Sequence, residues 1–214
     1  MVVGRRCPRL VDRSGSSTGL NRRRDLEITT RDLITVLHGM GFGALFLLAF
    51  SGALAQLHRI SVASVPGEPA KREHTLLAVY LIGMVVLAWL TVLSGAYIVY
   101  PWYRAVPPTG VTDLGDYPRR LLLASGHTSE WHNVGMEWKE NVAWIAPLAM
   151  TMVAYVTLRY SREIARSQAM RTAVIGFALA AFVATGVAGM FGAFLNKYAP
   201  VRGGSVIVLM EGAN

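Results

Sequence analysis

The sequence predicts an all-α polytopic membrane protein, a four-helix transmembrane bundle with both termini cytoplasmic. Three observations predict it. Of 214 residues, 53% are hydrophobic and only 16% charged, and mean hydropathy is +0.39, apolar and charge-poor beside an average soluble domain. The apolar residues gather in four blocks, 33–57, 75–100, 141–158 and 172–195, and about 20 such residues cross roughly 30 Å of hydrocarbon as a helix. None of the blocks contains Asp, Glu, Lys or Arg, each of which costs a few kcal/mol at a bilayer centre.

Residues 1–32 form a polar, Arg-rich tail with Ser14-Gly15-Ser16-Ser17 at its middle, which reads as a flexible cytoplasmic segment. The Lys and Arg counts set orientation: eight in the tail, three and four in the first two loops, four in the third and two after the last span. With four spans, fourteen fall on the side of the termini and seven opposite, so both termini are expected inside, in a bacterial plasma membrane. A second reading exists for the first block. Arg22-Arg23-Arg24, the apolar run and Ala53-Leu54-Ala55 also have the order of a cleaved leader, although the run is long for one. Cleavage there would leave three spans and remove His38.

A net charge of +8 in a soluble chain would point to nucleic acid. Beside apolar spans it has a simpler reading as orientation and headgroup contact, so no nucleic-acid partner is expected. The single cysteine, Cys7, and the absence of a C-x-x-C-H sequence exclude an internal disulfide and a c-type haem.

The longest connection, 101–140, opens with Pro101-Trp102-Tyr103-Arg104, an interfacial cluster. Pro107, Pro108 and Gly110 stop the helix, and 117–124 reads as a short interfacial amphipathic segment. From Thr128 or Ser129, as an N-cap, a helix carrying Trp131, Trp138 and Trp144 is expected to lead into the third span. These tryptophans, with Tyr97, Tyr100, Trp102 and Tyr103, form an expected aromatic belt. Residues 196–214 form a C-terminal tail.

Five histidines carry the candidate chemistry. His38 lies within the first span. His127 and His132 precede the third, at the same membrane boundary. His58 and His74 flank the first loop on the other side. A b-type haem in a four-helix bundle needs two imidazoles at matched depth and small residues that leave room for the macrocycle. His38 has Gly39, Gly41 and Gly43 beside it, and the second span reaches its depth at Gly95. One haem b ligated axially by His38 and by His132 or His127, with Gly95 beside it, is the leading expectation. A second on His74 and His58 is weaker. The bland alternative for each is a hydrogen-bonded interfacial histidine.

Residues 127–141 hold the densest run of polar side chains. In a helix, Glu130, Glu137 and Asn141 fall near one stripe, which could relay protons. The competing reading is a solvated helix end, salt-bridged among Glu137, Lys139 and Glu140.

In overall plan, across 33–195, the chain resembles the small haem-b membrane anchors. That resemblance implies haem b as cofactor and electron transfer between a quinone pool and a partner redox subunit, with no substrate chemistry of its own. The rival is a cofactor-free membrane anchor or assembly subunit of a larger complex. A small transporter is disfavoured, because the spans lack paired broken helices and buried charge.

Overall fold

The computed structural model describes residues 26–62 and 71–210. Four of its helices are long and apolar enough to cross a membrane: α1 (Thr30–His58), α2 (Thr75–Tyr103), α4 (Gly126–Arg159) and α6 (Gln168–Tyr198). Two short helices connect them, α3 (Pro118–Leu123) between α2 and α4 and α5 (Ser161–Arg166) between α4 and α6. Strands β1 (Leu26–Thr29) and β2 (Val206–Met210) pair antiparallel, with Thr29 opposite Val206.

The apolar blocks are helical throughout, the form in which a segment long enough to cross a membrane satisfies its own backbone hydrogen bonds. Their inward faces recur at helical spacing. Phe46, Phe50, Ala53 and Leu57 of α1 meet Leu77, Leu81, Met84 and Ala88 of α2, then Met150 and Val153 of α4 and Ala178 and Ala181 of α6. Outward residues such as Leu48, Val79, Ile82 and Val183 are exposed, as lipid-facing helix surfaces are. A second, smaller cluster joins Tyr103, Leu122, Met136, Leu195 and Val201 at the other end of the bundle. Through Leu122 and the buried Pro118 it fixes α3 beneath α4.

The β1–β2 ribbon joins the two ends of the described chain at that same end of the bundle. Thr29 caps α1 reciprocally with Asp32, satisfying two orphan N–H groups. Thr30 N–H donates to the Ser205 carbonyl (3.0 Å), and Ser205 N–H donates to Thr30 Oγ1 (3.1 Å). Gly203 and Gly204, at φ +100° and +95°, make the turn into β2, a conformation that L side chains rarely adopt.

Two differences from the sequence reading concern boundaries. Residues 26–29 and 206–210, expected as tail, are strand. The third long helix begins at Gly126 with Ser125 as its cap, not at Thr128 or Ser129. Those two hydroxyls instead donate to the carbonyls of Leu122 and Gly126 (2.7 and 3.2 Å). The expected interfacial segment at 117–124 is α3. Residues 1–25, with Cys7 and the arginine triplet, and the loop 63–70 lie outside the described residues.

Candidate functional site at the ribbon end of the bundle

Three of the four long helices depart from α geometry, each for one π turn: Leu37–Phe42 in α1, Gly95–Val99 in α2 and Trp138–Val142 in α4. A π turn inserts a residue and re-aims the side chains that follow by about 100°. The three turns lie on the ribbon side of the apolar core and hold His38, Gly95, Lys139, Glu140 and Asn141.

His38 lies against α2. Its Nδ1 sits 2.9 Å from Ser94 Oγ, whose own proton goes to the Thr91 carbonyl (3.2 Å). The ring edge rests on Gly95, where a Cβ would stand 2.7 Å from Cε1 and 3.2 Å from Nε2.

Lys139 turns inward rather than to solvent. Its Nζ would meet a Cβ at Gly192 of α6 at 3.2 Å, and among the described residues no ion pair joins it to Glu137 or Glu140. The salt-bridged helix end expected over 137–140 is therefore absent there. The π turn directs adjacent Lys139 and Glu140 to different partners, since Glu140 Oε1 accepts a hydrogen bond from Tyr100 O–H at 2.6 Å.

Tyr100 in turn accepts from Arg104 Nη1 (2.9 Å). Tyr103, one turn from Tyr100, places its hydroxyl 2.7 Å from His132 Nδ1. Tyr100, Arg104 and His132 form one wall of a half-open cleft of about 190 Å³, completed by Arg119 from α3 and by Asn133, Met136, Glu137 and Glu140 from α4; Tyr103 is buried and does not line it. Arg119 lines the cleft, but its Nε is buried out of reach of solvent, without a hydrogen-bond partner among the described residues, and so does not face the open space.

The other expected site residues are dispersed. His127 is exposed in the first turn of α4, and His58 is exposed near the end of α1. His74 belongs to a helical segment that leads into α2, and its side chain lies outside the described residues. Glu130 Oε1 accepts from Asn133 (3.4 Å), while Asn141 donates to the Glu137 backbone carbonyl (2.9 Å). Of the carboxylates, Glu137 and Glu140 line the cleft and Glu130 does not.

The tryptophans expected in a belt are mostly turned to neighbouring helices. Trp131 stacks on Phe194 at 4.6 Å, Trp138 Nε1 donates to the Ala184 carbonyl (3.3 Å), and Trp144 meets Trp89 edge-on.

The residues meet a haem b only in part. Both His38 and His132 make their hydrogen bond through Nδ1, and Nε2 serves a metal only in the tautomer in which Nδ1 donates. They do not share a cavity, because His38 is not in the lining of the His132 cleft and its Nε2 edge is against Gly95. A space of about 190 Å³ is too small for a four-pyrrole macrocycle. One haem bridging His38 and His132 does not fit this packing. Among the described residues there is also no group of three or more His, Cys, Asp or Glu side chains placed to hold a metal ion.

Tyr100, Tyr103, Arg104 and Arg119 are the functional candidates that sequence reasoning assigned to the interface instead. The i, i+3, i+4 spacing of Tyr100, Tyr103 and Arg104 was the available signal, since it puts all three on one helix face. The chain was compared with protein-family models, curated proteins and solved structures, and it matches none of them.

Proposed function

We propose that this chain is an integral membrane anchor that seats a quinone head group in the His132 cleft, where a partner redox subunit reduces it. The single observation that carries this reading is that one cleft is lined by both His132 and Arg119. A quinone, having two ring carbonyls, accepts a hydrogen bond from each. A cavity of about 150 Å³ admits a benzene ring, so about 190 Å³ suits a single-ring head with its prenyl tail in lipid.

In this reading Tyr103 O–H donates to His132 Nδ1, so that His132 presents Nε2–H to one carbonyl while Arg119 serves the other. Reduction adds two electrons from the reduced partner subunit and two protons, one to each carbonyl oxygen, giving the hydroquinone. Glu137 and Glu140 stand at the cleft to resupply the protons. Insertion as four spans with cytoplasmic termini, in a bacterial plasma membrane, accompanies the proposal. It is supported by the fourteen-to-seven distribution of basic residues and by the ribbon that brings both described ends to one end of the bundle.

The test is titration of the detergent-purified protein with a short-chain benzoquinone, followed by tryptophan quenching. Saturable quenching, weakened at least tenfold in His132→Ala and in Arg119→Lys, supports the reading. Linear quenching, or a curve unchanged in both variants, overturns it.

The haem b reading retains one favourable observation, the two Nδ1-anchored imidazoles. A reduced-minus-oxidised spectrum decides it: sharp α and β bands lost in His38→Ala restore haem b, and a colourless protein removes it. A protein that binds neither group is the cofactor-free anchor or assembly subunit.

A further inference from the structure

At the end of the bundle remote from the cleft, α4 and α6 part around a second half-open space of about 190 Å³. Its walls are wholly apolar: Met152 and Val156 from α4, and Met170, Ala173 and Phe177 from α6. Phe177 and Met152 are 51% and 40% exposed, so the groove opens sideways, toward whatever surrounds the bundle, rather than into the core. An apolar groove alone names no occupant. The charges at its mouth do.

Within one turn of Val156 the chain reaches Arg159, and the link to α6 then carries Arg162 and Arg166, followed by Arg171 within one turn of Met170. Against these four cations there is one acid, Glu163. Arg159, Arg162 and Arg166 are exposed. Arg171 Nη1 donates to the Ile164 carbonyl (3.1 Å), which ties α5 down over the start of α6 and holds the arginine-bearing link beside the groove. Ser167 caps α6 by accepting from Met170 N–H (3.3 Å), so the groove wall at Met170 and the basic link are fixed to each other. Tyr155 and Tyr160 meet edge-on beside them, and the Arg159 guanidinium lies over the Tyr160 ring, as aromatic and basic residues do at a headgroup level.

We propose that this groove is a specific site for an anionic diacyl phospholipid, with one acyl chain between α4 and α6 and the phosphate among Arg159, Arg162 and Arg166. Basic pockets between transmembrane helices take anionic head groups; the charge count puts this one in the leaflet opposite the termini, and the groove supplies the directional hold that a charged surface lacks. The site lies away from the His132 cleft and does not depend on what that cleft binds.

The experiment is native mass spectrometry of the full chain, released from detergent micelles containing equal amounts of palmitoyl-oleoyl phosphatidylglycerol and phosphatidylcholine. One phosphatidylglycerol is retained in preference to phosphatidylcholine by at least tenfold. Retention falls about fivefold for each arginine removed in Arg159→Gln/Arg166→Gln, at two exposed positions of the link. Ala173→Trp, which fills the groove, lowers retention of both lipids while circular dichroism stays helical. Equal retention of the two lipids by the wild type, or phosphatidylglycerol retention unchanged in either variant, overturns the proposal.

Discussion

Replacing Gly95 by alanine tests the contact on which the geometry of His38 rests. The new Cβ would stand 2.7 Å from His38 Cε1, whereas ordinary van der Waals contact begins near 3.4 Å. The ring must therefore recede by about 0.7 Å or the helices must part. Receding in line stretches the 2.9 Å bond from Nδ1 to Ser94 Oγ to about 3.6 Å, beyond hydrogen-bonding range. The lost bond costs about 0.5–1.5 kcal/mol and the overpacking about 1–3 kcal/mol. Thermal unfolding in detergent, followed by tryptophan fluorescence, should show a Tm lowered by roughly 5–10 °C. The double variant Gly95→Ala/His38→Ala should recover most of the packing loss, because the colliding ring is gone, with a coupling of at least about 1 kcal/mol between neighbours in contact. A Gly95→Ala protein as stable as the wild type, or a double variant in which the two losses simply add, would refute the seat described for His38.

Tyr103→Phe removes the partner of His132 Nδ1 and leaves every residue that lines the cleft in place, so quinone affinity should fall about 2- to 10-fold in the quenching titration, with the helical signal unchanged. Gly192→Ala meets only the far end of a flexible side chain, Lys139 Nζ at 3.2 Å. It should cost less than about 0.5 kcal/mol, and a loss comparable to that of Gly95→Ala would show that Lys139 is rigidly held. Asp32→Ala breaks the reciprocal cap at the start of α1 and should destabilise by about 1 kcal/mol. Amide exchange should quicken across Thr30–Val36 and leave α6 unaffected.

The apolar helices were legible because a stretch of some 20 uncharged residues has few other uses, and all four blocks fall within long helices. The amphipathic run at 117–124 was legible for the same kind of reason, since Pro118 opens a helix and Leu121 and Leu122 give it one apolar face. Depth counting along two antiparallel spans also set Gly95 level with His38, which is where the ring lies, although no ligand is implied by that contact. The ribbon was not legible. Val206-Ile207-Val208-Leu209-Met210 has strand composition, but its partner Leu26-Glu27-Ile28-Thr29 lies almost the whole chain away, and pairing at such separation leaves no local trace.

The side-chain directions at the site failed for a different reason. Placing Asn141 on the stripe of Glu130 and Glu137, and Lys139 among solvated charges, assumes 3.6 residues per turn through 126–159, whereas Glu130 and Glu137 themselves lie in the regular helix before the irregular turn. One inserted residue at Trp138–Val142 breaks that assumption at the point where the polar residues concentrate. No composition rule announces a π turn, and the neighbouring helices, which set a glycine opposite His38 and Lys139, offer a cause.

That cause bears on why the polar chemistry sits at the ribbon end. The remote two-thirds of the bundle is a continuous core with Phe46, Leu81 and Met150 fully buried, and regular α geometry lets it interdigitate. A π turn there would rotate a core face away from its neighbours. Near the ribbon, the facing helix offers glycine where a polar side chain enters: Gly95 under His38 and Gly192 under Lys139. Each glycine lets an imidazole or an ammonium lie against backbone instead of against a methyl group, and the π turns aim the two side chains at those seats. Glu140, in the same turn as Lys139, accepts from Tyr100, and both line the cleft beside His132. The irregular turns and the cleft are thus one construction. Deleting one residue from 138–142 to restore an α-helical register should close the cleft and abolish quinone quenching, while the core at Phe46, Leu81 and Met150 stays folded.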